Sequence, residues 1–375
     1  MNFKRGLSTL VCTFFIGFLL LSPSTRASAQ TGQQKAQASQ TIAQPGEEKF
    51  ERGKRLYQQG DIQGALPLLR DATQSRKKDS AAWLYYGLAL SNAGNAKDAR
   101  KAFEKAIKLQ PNDAGAHTGL AYSLLQLNKP RDAEREARRA LALDPERAEA
   151  HYVIGMLRYS ESKFAEAAEQ AGTAARLKPD APAIASLYGH TLLGVYLSES
   201  ERLAERYPFP PNADEATRQP VFAQRDAALE PIRSRMREAA DRIEAFAQSQ
   251  PNNPAAEEWR DFAETLRVYG QTSKEGQRPL VFRQAQVMKK ALITFKPEPG
   301  FTEEARKHNV TGVVRLRAVL AADGRVRHLI VIKGLPYGLT EKASAAAVRI
   351  RFTPATINGQ PVSQFIVLEY NFNVY

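Results

Sequence analysis

The chain repeats itself every 34 residues. Gly53, Gly87, Ala121 and Gly155 are each followed twelve residues later by Ala65, Ala99, Ala133 and Ala167, and seven residues further on by Ala72, Ala106, Ala140 and Ala174. Pro111, Pro145 and Pro179 keep the same register, with Lys77 at the first equivalent position. A fixed period of this length means that each copy is one supersecondary unit in an array, because a single globular core has no reason to recur in register.

At this period the segment from Glu47 to about Asp180 resembles tetratricopeptide repeats. The resemblance implies helix pairs in which small residues let the two helices approach closely and the proline ends the second helix. No pair can bury its apolar face alone, so the pairs stack into a superhelix with a concave side. First-helix residues Phe50, Tyr57, Leu84, Leu88, Tyr122, Leu125, Tyr152, Met156 and Tyr159 are the expected lining of a peptide-binding groove. Some of them are equally expected to pack against neighbouring helices. His117 and His151 share a repeat position with Trp83, which marks a packing site rather than a metal site.

Ahead of the repeats, Lys4 and Arg5 precede an apolar run from Leu7 to Leu21 and then Ala27-Ser28-Ala29, the pattern of a signal peptide cleaved before Gln30. As a helix the run would reach roughly 22 Å, short of a hydrocarbon core of about 30 Å, and retention as a membrane anchor is the alternative. Cys12 is the only cysteine and lies in that run, so a processed chain has no thiol for disulfides or metal. Too few apolar residues precede it for a lipid-modification site. Removing Lys4, Arg5 and Arg26 takes the net charge from +13 to +10, which suits an anionic envelope surface or an acidic partner. Export to a bacterial periplasm leaves no expectation of nucleic-acid binding.

At 375 residues the chain is long enough for two or three domains. Residues 1–29 read as the signal peptide, 30–46 as a flexible linker rich in Gln, Ala, Thr and Ser, and 47–207 as four repeats plus a capping helix. The capping helix starts at Pro182, where Gly189 stays in register but Glu201 replaces the next small alanine. Residues 208–278 read as a helical spacer or degenerate repeats, with helices over about Phe222 to Gln248 and Ala255 to Tyr269.

From about Val281 the period changes. ALITFKP reads as a strand, FTEEARKHN as a short helix, and VTGVVRLRAVLAADGRVRHLIVIK as two strands around Asp323-Gly324, a strong hairpin signal. LTEKASAAAVR has helical spacing, and after the turn pair Asn358-Gly359 the final stretch alternates Ile366, Leu368, Tyr370, Phe372 and Val374 with Val367, Glu369, Asn371, Asn373 and Tyr375. Together 281–375 form a two-layer α+β unit, so the chain as a whole is multidomain, an all-α superhelix followed by a small α+β domain.

This last unit resembles the C-terminal domain of the TonB family. The resemblance rests on Gly312-Val313-Val314, Asp323-Gly324, Arg351-Phe352-Thr353-Pro354-Ala355 and Gly359-Gln360-Pro361-Val362. It implies that an extended segment of an outer-membrane transporter adds as a strand beside the domain's own last strand, over Gln364, Phe365, Ile366, Val367, Leu368, Glu369, Tyr370, Asn371, Phe372 and Asn373. Where the family usually has a Tyr-Pro pair, Phe301-Thr302 stands here, which leaves any role of that pair without support. An exposed edge supplies unpaired N–H and C=O groups for such pairing. The plainer alternatives are a strand that only completes the sheet, or a homodimer through it.

Energy transducers of the family keep an N-terminal helix with polar residues in the inner membrane and carry a Pro-rich rod; this chain shows a cleavable-looking leader without such polar residues, and repeats in place of the rod. The expectation is therefore an exported, non-enzymatic adaptor with two protein-binding modules and no cofactor. The alternative is a divergent transducer associated with the inner membrane through a retained leader. Arg315, Arg317, Arg325, Arg327 and Lys333 form either a solvated strand face or a basic face for anionic polymers. No phosphate loop, nucleophile elbow or paired carboxylates are legible for an envelope hydrolase or transferase.

Overall fold

A computed structural model describes residues 45–210, 214–271 and 280–373. The expected leader and most of the linker lie outside the described residues, as do Val374 and Tyr375. The chain divides into two compact units, residues up to 161 with 166–187, and residues 162–165 with 188 onward.

In the first unit, helices α1 (Pro45–Gln58) to α8 (Phe164–Leu177) form four antiparallel pairs: α1 with α2 (Ile62–Ser75), α3 (Ser80–Asn92) with α4 (Ala96–Leu109), α5 (Ala114–Gln126) with α6 (Pro130–Leu143), and α7 (Ala148–Ser160) with α8. The 34-residue register recurs in the caps. Asp61 and Asn95 accept from the Gly64 and Asp98 amides, and Asp79 and Asp113 from those of Ala81 and Ala116, satisfying helix N–H groups that have no partner in the first turn. Ala65, Ala99, Ala133 and Ala167 have no exposed surface. A methyl group at Gly87 would come within 2.8 Å of the Phe103 ring, and Phe103 also lies against Gly119, so the glycines set the approach of α3, α4 and α5.

The second unit begins with most of α9 (Pro182–Arg206), followed by α10 (Glu215–Ser249) and α11 (Ala256–Tyr269). Leu229, Ile232, Met236, Ala240 and Ile243 of α10 are buried, as are Trp259, Phe262 and Leu266 of α11, and these two helices pack along each other. That packing, which begins at Leu229, supports α10 around Pro231, a residue that would cost an isolated helix about 3 kcal/mol, while Pro220 lies in an exposed stretch near the start of the helix. α9 joins them at Gly189, where a methyl group would sit 2.8 Å from Leu266, while the His190 ring stacks on Phe262 at 3.9 Å.

Beyond a single 3-10 turn at Gln284–Gln286 the chain forms β1 (Leu292–Phe295), α12 (Glu303–Lys307), β2 (Gly312–Leu320), β3 (Val326–Lys333), α13 (Leu339–Ala347), β4 (Arg351–Thr353), β5 (Ala355–Ile357), β6 (Gln360–Val362) and β7 (Gln364–Phe372). The main sheet is antiparallel in the order β3-β2-β7. Val314, Leu316 and Ala318 of β2 and Leu368, Tyr370 and Phe372 of β7 bury one face with Leu339, Ala343, Ala346 and Ala347 of α13. Asp323-Gly324 does turn the hairpin. Gly324 is left-handed at φ +83, its N–H donates to the Ala321 carbonyl and the Ala321 N–H donates to the Arg325 carbonyl, a turn with a glycine bulge.

Two small ribbons accompany the sheet, β1 with β4 and β5 with β6. Asn358 and Gly359 (φ +51 and +76) make the two-residue turn between β5 and β6, the left-handed pair such a turn requires.

Candidate functional site

The two edges of the main sheet differ. Strand β7 pairs with β2 along its whole length, from Gln364 opposite Leu320 to Phe372 opposite Gly312. On its other side the Phe365 N–H donates to the Phe282 carbonyl and the Phe282 N–H donates to the Ser363 carbonyl, both at 2.9 Å. Main-chain groups alternate in direction along a strand, so Val367, Glu369 and Asn371 turn theirs the same way as Phe365, away from β2. The Glu369 carbonyl does accept from outside the sheet, from the Lys296 ammonium at 2.7 Å. Among the described residues no strand pairs with this edge beyond Phe282.

The β3 edge is closed at a bulge. Arg317 faces Ile330 and Val319 faces Arg327, so His328 and Leu329 together oppose one residue of β2, and His328 sits at φ +50. Its carbonyl accepts from the Tyr269 hydroxyl at 2.8 Å, and its Nδ1 lies 3.0 Å from the Thr265 hydroxyl, both on α11. The His328 side chain is only 8% exposed, with Glu264 at 3.6 Å. Burial lowers its imidazole pKa, helped by Arg327 and opposed by Glu264 and Asp261.

The segment read as a spacer thus packs on the sheet at this edge. Below it the Arg317 guanidinium lies 5.6 Å from the Tyr269 ring centroid and 4.9 Å from that of Phe365. Burial alone would push up the Tyr196 phenol, but Arg317 and Arg233 outweigh it and leave the group below its ordinary value. Arg233 in turn pairs with Asp226, which Arg283 also binds.

The basic strand face is broken up by these contacts. Arg317 is stacked, Arg315 pairs with Glu369 at 2.8 Å, and Arg327 pairs with Asp323 at 2.7 Å.

In the repeat unit, Phe50, Tyr57, Leu84, Leu88, Tyr122, Tyr152 and Met156 are buried, while Leu125 and Tyr159 are half-buried. Tyr85 meets both Phe50 and Tyr57 edge-on, with ring centroids 5.8 and 5.9 Å apart, and Lys54 lies over Phe50 and Tyr85. Most of the expected lining therefore fills space between helices. Burial raises the phenol pKa values of Tyr122 and Tyr159.

The shared Trp/His position has a uniform job: Trp83 Nε1 donates to the Lys77 carbonyl, and His117 and His151 bond the Pro111 and Pro145 carbonyls through Nε2, at 3.0 to 3.1 Å. Each ring ties its helix to the turn six residues earlier. A cavity of about 510 Å³ between α6, α7 and α8 is lined in part by Arg138, His151 and Arg158. Arg158 there is neutralised by Glu134, Glu161 and Glu166.

Comparison with known proteins agrees with both halves. The family model of the Gram-negative bacterial TonB protein C-terminal matches residues 297–374, and a tetratricopeptide repeat model matches 50–114 and 118–182. The chain carries tetratricopeptide repeats and a TonB C-terminal domain.

Among solved structures the chain is similar to a crystal structure of MamA protein, at 19% identity and TM-score 0.34, over 44% of this chain and 96% of that one. It is also similar to a thermophilic TPR protein of Thermus thermophilus, at 19% identity and TM-score 0.38, over 48% of this chain and 97% of that one. A third is YrrB, a TPR protein with an unusual peptide-binding site, at 22% identity and TM-score 0.31, over 38% of this chain and 74% of that one. No curated protein matches the sequence.

Tetratricopeptide repeats and TonB C-terminal domains are both protein-interaction modules, which suggests an adaptor. The TonB match suggests a Gram-negative envelope protein, and among the described residues no helix is long and apolar enough to cross a membrane. Of the TonB-domain residues expected to receive a strand, Gln364 is 1% exposed and its side chain accepts from the Ala291 amide, and Phe365 is bonded to Phe282. Val367, Glu369 and Asn371 carry the open stretch, Ile366, Leu368, Tyr370 and Phe372 alternate with them, and Asn373 follows the strand. Nothing in the sequence signalled that Lys296 would reach this edge or that α11 would close the other.

Proposed function

We propose that this chain is an exported, non-enzymatic adaptor of the Gram-negative envelope. Its TonB domain binds a partner by strand addition along β7, and its repeats bind a second protein through the concave groove. The observation that carries this reading is the asymmetry of the sheet. The β3 edge is bulged and bonded to Tyr269, whereas β7 turns the main-chain groups of Val367, Glu369 and Asn371 outward with no strand beside them among the described residues. Such groups gain hydrogen bonds from an extended guest with little rearrangement of the host. An outer-membrane transporter segment is the partner class that the family resemblance supplies, and the leader supports a periplasmic location.

Photo-crosslinkers placed one at a time from Gln364 to Asn373 test it in intact cells. Adducts to an envelope protein, strongest at Val367, Glu369 and Asn371 and lost in Val367→Pro, are expected. Adducts only to a second copy of the chain would overturn partner capture and leave a homodimer edge.

A further inference from the structure

Residues 291–301 accompany β7 without joining its ladder. The Ala291 N–H donates to the Gln364 side chain at 3.0 Å, the Lys296 ammonium donates to the Glu369 carbonyl at 2.7 Å, and the Phe301 ring meets Phe372 edge-on at 5.7 Å. These contacts advance in the same direction along both segments. Gln364 and Phe372 belong to the buried face of β7, so the segment lies against the core side of the strand. Pro297 and Pro299 have no N–H to give to a ladder, which keeps this stretch from occupying the edge itself.

Lys296 is the exception, since it crosses onto a main-chain group that an added strand would need. Its ammonium also lies 4.5 Å from the centroid of the Tyr370 ring. Glu298 and Arg349 are close enough to act on the Tyr370 phenol, and Arg351 lies over the ring of Phe295, next to Lys296. The Glu369 carboxylate is engaged by Arg315. The charges along this stretch are thus the cations Lys296, Arg349 and Arg351 with the carboxylate of Glu298, beside a Glu369 carboxylate already paired with Arg315.

We propose that Lys296 is a displaceable cap on the β7 edge, and that the edge selects an extended segment carrying a carboxylate where it passes Glu369. The inference rests on the strand-addition reading. An arriving N–H takes the Glu369 carbonyl and frees the ammonium. A guest Asp or Glu then gives that ammonium a new partner, a neutral side chain gives it none, and a guest Lys or Arg repels it. The cap also deters pairing by strands that lack the acid, as inward or edge lysines do in other sheets.

The test uses the full chain and short blocked peptides of alternating apolar and polar residues, with one Glu or Gln moved through the polar positions, followed by fluorescence anisotropy. At one position the Glu peptide is expected to bind roughly two- to five-fold tighter than its Gln twin, the range of a partly exposed ion pair. That preference disappears in Lys296→Ala and reverses in Lys296→Glu. A preference that survives Lys296→Ala, or no difference at any position, overturns the role of Lys296 while strand addition stands. Val367→Pro removes an outward N–H without touching the β2 ladder. If no peptide binds in a way that this variant weakens, strand addition itself fails and the inference with it.

Discussion

The Tyr269 hydroxyl donates to the His328 carbonyl at 2.8 Å, joining the end of α11 to the bulge in β3. Tyr269 is 1% exposed, and the bond satisfies a carbonyl that the bulge has removed from the ladder. Tyr269→Phe should therefore leave a buried acceptor unpaired and destabilise the second unit by about 1 to 2 kcal/mol, read from the denaturant midpoint. Hydrogen exchange at β3 should quicken more than at β7.

His328 makes the same junction sensitive to acid. Its folded pKa lies below the usual 6.5, chiefly because of burial, so as pH falls the unfolded chain takes up the proton first. The contribution is present above about pH 6.5 and is lost as pH drops through the lower folded value. Stability measured by urea unfolding should decline over that window in the native chain and more shallowly in His328→Asn.

In the repeats, Gly87→Val should cost about 1 to 3 kcal/mol, because the added carbons meet the buried Phe103 ring, already 2.8 Å from the position of a first carbon. Combining it with Phe103→Leu should recover part of the loss, a non-additivity that a double-mutant cycle reads directly.

Alkali should unfold the chain before its tyrosines ionise freely. Burial pushes the Tyr370 phenol up to about 12, with Glu298 adding and Arg349 opposing, against 10.0 in the open chain. The folded state thus keeps a proton that the unfolded state gives up, and stability falls as pH rises from 10.0 toward 12. Tyr122 and Tyr159 act in the same sense. Chemical denaturation at about pH 9 and about pH 11 checks the slope. Because the Tyr370 hydroxyl is buried with no hydrogen-bond partner among the described residues, Tyr370→Phe should change neutral-pH stability by less than about 0.5 kcal/mol or raise it, while flattening the alkaline decline.

How much of this was legible follows from the length of the signals. The small-residue columns at 34-residue spacing located the four helix pairs of the repeat unit, because each copy repeats the same packing constraint. The β2–β3 hairpin and β7 are eight or nine residues long and carry clear alternation. Strands β4, β5 and β6 have three residues each, too few to define a period, so of the stretch from Arg351 only the Asn358-Gly359 turn and the final strand were legible. Pro220, at the end of a stretch rich in proline, made the helix read as starting at Phe222, whereas α10 starts at Glu215. The bulge at His328 leaves no mark in the alternation of VRHLIVIK. The reach of Lys296 to Glu369 is likewise a long-range fact, between residues separated by most of the domain.

Closing one edge of a three-stranded sheet also limits what can grow from it. A guest strand on β7 still presents its own outer edge, but the bulged side of this sheet offers no second point of growth, so copies of this chain cannot stack edge to edge without end. Two copies joined through β7 would use up both available edges at once. Self-association and guest capture would then be mutually exclusive, and the amount of protein in the compartment would itself set how many guests can be held.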